Sequence, residues 1–388
     1  MYITRSLDLS SILKEKSCFL FGARQSGKSS YTTQQLALPV LKTYDLLDHR
    51  VFFELTNNPS RMREELEVFD NKNGALIVID EIQKCPALLD EVHLLIERYH
   101  MRFLLTGSSA RKLKRSGVNL LAGRARSRNF HPLTYKELSD AGIAFDLGHA
   151  MQFGLLPVHA LQPMPKDDLF SYVSLYLKEE VAAEGLVRNI PSFSRFLQVA
   201  AVCNGQILNY SSIGSDAQVN RHTVQNYFEI LKDTLLGYEL ESFQNSVKRK
   251  AIEANKFYFF DMGVTNTLRK LGPISQDSSE FGVFFEHFIF LELKAFLDYM
   301  HPTCDLHYWR SKSNFEVDFI LDGKIAIEVK AAHRITEKHL KGLVAFGEEQ
   351  VVESYICVCQ ETTKRMVNGI LIYPWQEFLT DLWGGKIF

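Results

Sequence analysis

A chain of 388 residues has room for roughly two or three domains. Its 46% hydrophobic and 23% charged residues fit a folded globular protein and exclude a disordered or fibrous one. A formal net charge of −2 excludes a uniformly basic nucleic-acid binder but leaves space for a local basic patch. No apolar run reaches the ~18–20 residues of a membrane span, the start of the chain lacks a signal peptide's apolar core, and the six cysteines form no Cys-x-x-Cys pair. We therefore expect a cytoplasmic protein with reduced thiols and no membrane partner.

Taken in chain order, short apolar runs alternate with helical stretches. Lys16–Phe21, Thr43–Leu47, Ala75–Ile79 and Met101–Leu105 read as strands, with a fifth at Arg126–Phe130; Arg61–Phe69 and Leu88–Tyr99 read as helices. Such alternation predicts a parallel, doubly wound α/β sheet. Gly154, Pro157, Pro163 and Pro165 mark a connection, with helices next at Asp168–Val181 and Ser194–Val202. Tyr210–Leu231 reads as a helix-turn-helix, and Leu235–Phe260 as two strands around a tip holding Lys248, Arg249 and Lys250, together a winged helix with a basic wing. A long helix over Gly282–Leu297 leads to strands at Leu306–Trp309, Glu316–Leu321 and Lys324–Lys330, a helix at Glu337–Glu348, and strands near Ser354 and Gly369.

The first chemical constellation follows the first strand. Gly22-Ala23-Arg24-Gln25-Ser26-Gly27-Lys28-Ser29 matches G-x-x-x-x-G-K-[ST] in full, with Ser30 next in the helix it opens. Glycines let the loop turn its N–H groups toward phosphate oxygens, and the helix start adds partial positive charge. Lys28 neutralises the β- and γ-phosphates of ATP, and Ser29 offers a hydroxyl to Mg²⁺. Asp80 and Glu81 end the third strand, at the edge where active sites of parallel sheets lie. Asp80 is expected to hold Mg²⁺, and Glu81 to polarise the attacking water. Ser108 and Ser109, after the fourth strand, are candidates for sensing the γ-phosphate, Ser108 first. Arg124, Arg126 and Arg128 follow Gly123, and Arg124 is the favoured arginine finger.

The second constellation is a hairpin with Asp-Gly at its turn, 316–330. Asp318 falls opposite Glu328 and Lys330, which share one strand face. Two carboxylates and a lysine are what metal-assisted phosphodiester cleavage requires: Asp318 and Glu328 to hold Mg²⁺, Lys330 to orient water and offset phosphate charge. Glu286, on the long helix, is a candidate third acid.

These motifs together resemble a prokaryotic family of AAA-like P-loop ATPases whose C-terminal part is the domain of unknown function 4143. The resemblance rests on Gly22–Ser29, Leu76–Glu81, Leu104–Ser109, Leu121–Arg124, Pro132–Leu138, Tyr210–Leu231, Tyr258–Gly263, Phe285-Glu286, Tyr308–Arg310 and Glu316–Lys330, in that order along the chain. It implies a P-loop ATPase core, a winged helix and a C-terminal α/β domain similar to restriction-endonuclease-like nucleases, in whose Asp…Glu-x-Lys pattern Asp318, Glu328 and Lys330 fall. The expected domains are 1–150 (ATPase), 151–205 (helical connection or lid), 206–272 (winged helix) and 273–388 (nuclease-like). A second sensor arginine is not evident beyond Arg188, which leaves open a ring-shaped oligomer. The expected function is ATP binding and hydrolysis with DNA engaged through the winged helix and a Mg²⁺-dependent nuclease site. The alternatives are a nucleotide-gated switch with an inactive nuclease fold, and an ATP-dependent remodeller of a protein partner.

Overall fold

The computed structural model describes residues 1–109, 113, 121–163, 165–176 and 189–388. Arg188 and the end of the helix expected to reach Val181 lie outside the described residues. The chain divides into two compact units: Met1–Pro132 with Asp233–Leu235, and Leu133–Lys232 with Leu236–Phe388.

The first unit carries a five-stranded sheet in the order β2-β3-β4-β1-β5. Its strands are β1 (Ser17–Phe21), β2 (Val40–Asp45), β3 (Leu76–Asp80), β4 (Arg102–Gly107) and β5 (Ala125–Asn129). Every pairing is parallel, as the alternation predicts. β1 is buried along its whole length, which is why it reads as an unbroken apolar run. Two helices escape the periodicity argument. One is α1 (Leu9–Glu15), started by Asp8, whose carboxylate accepts the N–H of Ser10 at 2.9 Å. α2 (Lys28–Gln34) follows the loop after β1. The second escape is α3 (His49–Asn57), capped by Asp48, whose short apolar face sets half-buried Val51 and Phe52 beside buried Leu55. α4 (Ser60–Glu67) and α5 (Leu88–Tyr99) fall where expected.

The second unit opens with α6 (Tyr135–Asp140), whose start is a capping box between Thr134 and Glu137. The expected connection near Met151 instead contains α7 (Leu147–Phe153), set off by Asp146 as N-cap; the prolines lie beyond it and hid it. α8 (Ile190–Val202) is followed by α9 (Tyr210–Ala217) and α10 (Arg221–Asp233), the expected pair of helices. Ile213, Ala217, Val224, Phe228 and Leu231 are buried between and beneath them.

An eight-stranded mixed sheet completes this unit, ordered β12-β13-β11-β10-β9-β8-β6-β7. Its strands are β6 (Gly237–Ser242), β7 (Lys256–Phe259), β8 (Leu306–Arg310), β9 (Glu316–Leu321), β10 (Ile325–Lys330), β11 (Ser354–Cys359), β12 (Arg365–Val367) and β13 (Ile370–Pro374). The strands read as a wing therefore extend the C-terminal sheet, because β6 pairs parallel with β8. α11 (Ser279–Met300) is apolar on nearly every face and is buried along its length. The Asp-Gly turn forms as predicted, with φ of 50° at Asp322 and 64° at Gly323. No described helix is long and apolar enough to cross a membrane.

Candidate nucleotide site and a buried acidic site

At the C-terminal edge of the first sheet, the chain leaves β1 in a tight loop. Gly22 must be glycine, because a Cβ there would stand 2.4 Å from the carbonyl oxygen of Phe130. Gly27 has φ 97°, a left-handed conformation that favours glycine. Lys28 turns its buried ammonium inward to donate to the carbonyls of Gly22 (2.7 Å) and Ala23 (3.1 Å). Ser26 Oγ is buried with no hydrogen-bond partner in the described chain, an unmet donor in the middle of the loop. From below, the Arg5 guanidinium donates to the carbonyls of Ser26 (2.8 Å), His131 (2.6 Å) and Pro132 (3.0 Å), and lies 4.1 Å from the centre of the Phe130 ring. Arg5 carries no motif and sits far upstream of the loop, so nothing in its sequence context marks it.

β3 and β4 deliver the acids and hydroxyls. Asp80 accepts from Ser29 Oγ at 2.8 Å with one carboxylate oxygen and from Thr106 Oγ1 with the other. Glu81 follows at φ 60°, ψ 45°, a left-handed conformation that costs a non-glycine residue on the order of 1–3 kcal/mol. The Gln83 amide donates to the Glu81 carboxylate and, at 3.0 Å, to Ser108 Oγ. Gln83 Oε1 is buried without a partner. No motif spacing singles out Gln83 or Thr106; Gln83 is marked only by its place two residues after Glu81. Gly22 to Ser29, Asp80, Glu81 and Ser108 thus gather on one edge, with Ser30 exposed in the first turn of α2. The side chains of Ser29 and Asp80 fit a hard divalent cation beside phosphate: a hydroxyl and a carboxylate already 2.8 Å apart.

Arg124 is placed elsewhere. β5 pairs with β1 so that Ala125 faces Ser17 and Asn129 faces Phe21. Arg124 therefore sits at the opposite end of the sheet, roughly 15 Å from the loop at about 3.3 Å per residue. It is paired with Glu97, as Arg126 is with Glu15. Arg124 is therefore out of reach of phosphates bound by its own chain.

In the second unit, β9 and β10 pair antiparallel with Phe319 facing Ile327, a register that sets Asp318 beside Glu328. Lys330 Nζ lies 2.5 Å from Glu328 Oε1 and 3.8 Å from Asp318 Oδ2, so all three side chains share one face. Asp318 Oδ2 also accepts the Val329 N–H at 2.8 Å. Glu328 Oε2 is buried with no partner. Burial, and then the neighbouring Asp318, push the Glu328 carboxyl well above the usual range, with Lys330 only partly opposing. Burial alone would lower Lys330, but Asp318 and Glu328 outweigh it and hold the ammonium above its ordinary value. Glu286 lies close enough to add to this field, but its own partners are different: Tyr258 OH donates to it at 2.5 Å and Lys256 at 3.3 Å. Lys256 also pairs with Glu316 at 2.6 Å, and Arg310 with Glu316 at 3.3 Å. The candidate third acid, Glu286, is hydrogen-bonded to Tyr258 and paired with Lys256. Among the described residues no three His, Cys, Asp or Glu side chains could together hold a metal ion.

The tip between β6 and β7 is fastened down. The Glu349 carboxylate accepts the N–H groups of Val247 (2.7 Å), Lys248 (2.5 Å) and Arg249 (3.1 Å), while the Arg249 guanidinium pairs with Glu348 at 2.7 Å. Arg249 is therefore spoken for, and of the three basic residues Lys248 and Lys250 stand exposed.

A parallel α/β unit with a phosphate-type loop and paired acids on its C-terminal edge defines a P-loop ATPase domain of the AAA type. Family models agree: residues 14–139 match the AAA domain, 145–275 the domain of unknown function DUF8612, and 281–378 the domain of unknown function DUF4143. The chain belongs to the AAA-type P-loop proteins that carry a C-terminal DUF4143 domain. The DUF8612 match spans the stretch expected as a helical connection or lid (151–205) and a winged helix (206–272). A comparison with curated proteins finds no match. Among solved structures the chain is similar to the ORC1 protein of Aeropyrum pernix in complex with DNA, at 12% identity over 70% of this chain and 93% of that one, TM-score 0.24. It is also similar to the ORC2 protein of Aeropyrum pernix in its ADP form (13%, 61% and 89%, TM-score 0.32) and to PCH-2 of C. elegans (16%, 59% and 64%, TM-score 0.26). Likenesses at these TM-scores carry no weight below.

Proposed function

We propose that the chain binds ATP with Mg²⁺ at Gly22–Ser30 and hydrolyses it. The observation that carries this reading is the convergence of Lys28, Ser29, Asp80 and Glu81 on one sheet edge, with Ser29 already hydrogen-bonded to Asp80. Loop N–H groups and Lys28 hold the β- and γ-phosphates. Ser29 and Asp80 would hold Mg²⁺, which when bound neutralises phosphate charge. Glu81 takes a proton from water as that oxygen attacks the γ-phosphorus; the bond to the β–γ bridging oxygen breaks, and ADP and phosphate leave. Ser108, joined to Glu81 through Gln83, reports the γ-phosphate to the base. Phosphate release from ATP by the pure protein, with and without Mg²⁺, tests the reading; a folded protein that binds no ATP would end it.

Beyond the ATPase, α9 and α10, with the β6–β7 hairpin that also extends the C-terminal sheet, support a winged helix that engages DNA, since Arg221, His222 and Asn226 stand exposed on the second helix. The C-terminal unit supports a restriction-endonuclease-like domain in which Asp318 and Glu328 would hold Mg²⁺ and Lys330 would orient water. Incubation with duplex, single-stranded and branched DNA and with RNA, in Mg²⁺ or Mn²⁺, separates cutting from none. A second reading has its own support: Glu286 is committed elsewhere. On that reading the acidic site is a catalytically silent fold within a nucleotide-gated switch or a remodeller of a protein partner.

A further inference from the structure

Lys256 is the least expected member of the acidic site. It starts β7, a strand from the segment matched by DUF8612, whereas Asp318, Glu328 and Lys330 lie in the segment matched by DUF4143. It is only 2% exposed. A buried ammonium is costly unless it is paired, and well-packed apolar side chains usually serve stability as well or better. Lys256 meets that cost with two carboxylates, Glu316 at 2.6 Å and Glu286 at 3.3 Å, and Tyr258 OH completes the grip on Glu286.

We propose that Lys256 is a built-in cation of this site, so that Asp318 and Glu328 take up one divalent metal ion where a second would otherwise be drawn in by Glu286 and Glu316. The inference rests on the reading of Asp318 and Glu328 as metal ligands. Charge supports it. Four carboxylates, those of Glu286, Glu316, Asp318 and Glu328, meet three fixed cations, Lys256, Arg310 and Lys330. Counted with all four carboxylates ionised, as ligands to a metal would be, one divalent ion turns a single excess negative charge into a single positive one, suited to a phosphodiester; a second would leave three positive charges. The vacant coordination also lies on one side. Glu328 Oε2 is buried and unpartnered, while both oxygens of Glu316 are paired, with Lys256 and Arg310, and Glu286 Oε1 takes both Tyr258 and Lys256. A cavity of about 420 Å³ lined by Gly205, Gln206, Lys256, Glu286, Arg310 and Glu316 lies on the Lys256 side, where the ammonium and guanidinium balance the carboxylates of Glu286 and Glu316.

The test is Mn²⁺ binding to the full chain without nucleotide, counted by electron paramagnetic resonance. Comparison of the wild type with Asp318→Asn/Glu328→Gln assigns ions to this site. One ion per chain lost on double substitution is the expected result. None lost would overturn the acidic-site reading itself. Two lost would leave that reading standing and overturn the role of Lys256. Lys256→Met, checked for folding by circular dichroism, is expected to add a second ion or tighten binding on the order of tenfold, since a like charge has left the site; unchanged count and affinity would contradict the proposal. Should that variant not fold, Glu286→Gln decides. It is expected to keep one ion with affinity within about twofold, and a loss of tenfold or more would make Glu286 a ligand and overturn the inference.

Discussion

At the phosphate loop of the first unit, charge is handled by backbone and short hydroxyl contacts: Lys28 rests on loop carbonyls, and Asp80 is shared by Ser29 and Thr106. In the acidic site of the second unit, charges are buried against one another, with Lys330 and Lys256 set among four carboxylates. The contrast bears on what each site does when a ligand arrives. Lys28 exchanges two neutral carbonyls for phosphate, which strengthens its bonds. A metal ion at Asp318 and Glu328 must instead compete with an ammonium already 2.5 Å from Glu328.

Removing the lysine of each site should break this comparison most sharply. Lys28→Ala should weaken ATP binding by on the order of 10²-fold or more, the scale for losing a buried charged partner. Lys330→Ala should leave ATP binding within about twofold, abolish any DNA cutting, and keep Mn²⁺ bound, because a lysine is not a metal ligand. Fluorescent-nucleotide titration and a plasmid-nicking assay check both. ATP affinity falling equally in the two variants would mean that Lys330 serves the fold rather than a separate site.

A smaller effect is expected at Gln83. Its amide joins Glu81 to Ser108, so Gln83→Leu should lower kcat for ATP hydrolysis about tenfold through a misplaced base, with KM little changed. A rise in KM with kcat intact would make Gln83 a binding residue.

How much of this was legible follows from the same contrast. The nucleotide site is written in residues whose spacing the backbone itself demands: Gly22 for close approach, Gly27 for its positive φ, acids at the end of a buried strand. The acidic site was legible only as the spacing of Asp318, Glu328 and Lys330. Lys256 and Tyr258 stayed hidden because strand pairing brings β7 into the same sheet from about 60 residues upstream. Arg124 follows a glycine in the expected place, but its spacing could not show that the parallel register of β5 carries it to the far end of the sheet. At the basic tip the fastening acid, Glu349, lies about 100 residues further on, so the sequence there could not show that Arg249 is engaged while Lys248 and Lys250 stay exposed.

A separate effect, on stability rather than on either site, is expected in the core of the second unit. His287 is buried, with Nε2 2.6 Å from the Phe259 carbonyl, and burial lowers its pKa to about 4. An unfolded histidine titrates near 6.5. Between those values the unfolded chain takes up a proton that the folded one refuses, so stability present above about pH 6.5 is lost as pH falls toward 4, by up to about 3 kcal/mol. His287→Gln should flatten the dependence of Tm on pH in that window relative to wild type. An identical slope would mean that His287 protonates in place.

The most direct test of the central claim is Glu81→Gln, with ATP binding and phosphate release measured on the same preparation. An amide keeps the shape and the partners but cannot take a proton from water. The expected result is ATP affinity within about twofold of wild type and turnover reduced by on the order of 10²-fold or more. Turnover at the wild-type rate, with binding intact, would contradict the assignment of this sheet edge as the hydrolytic centre.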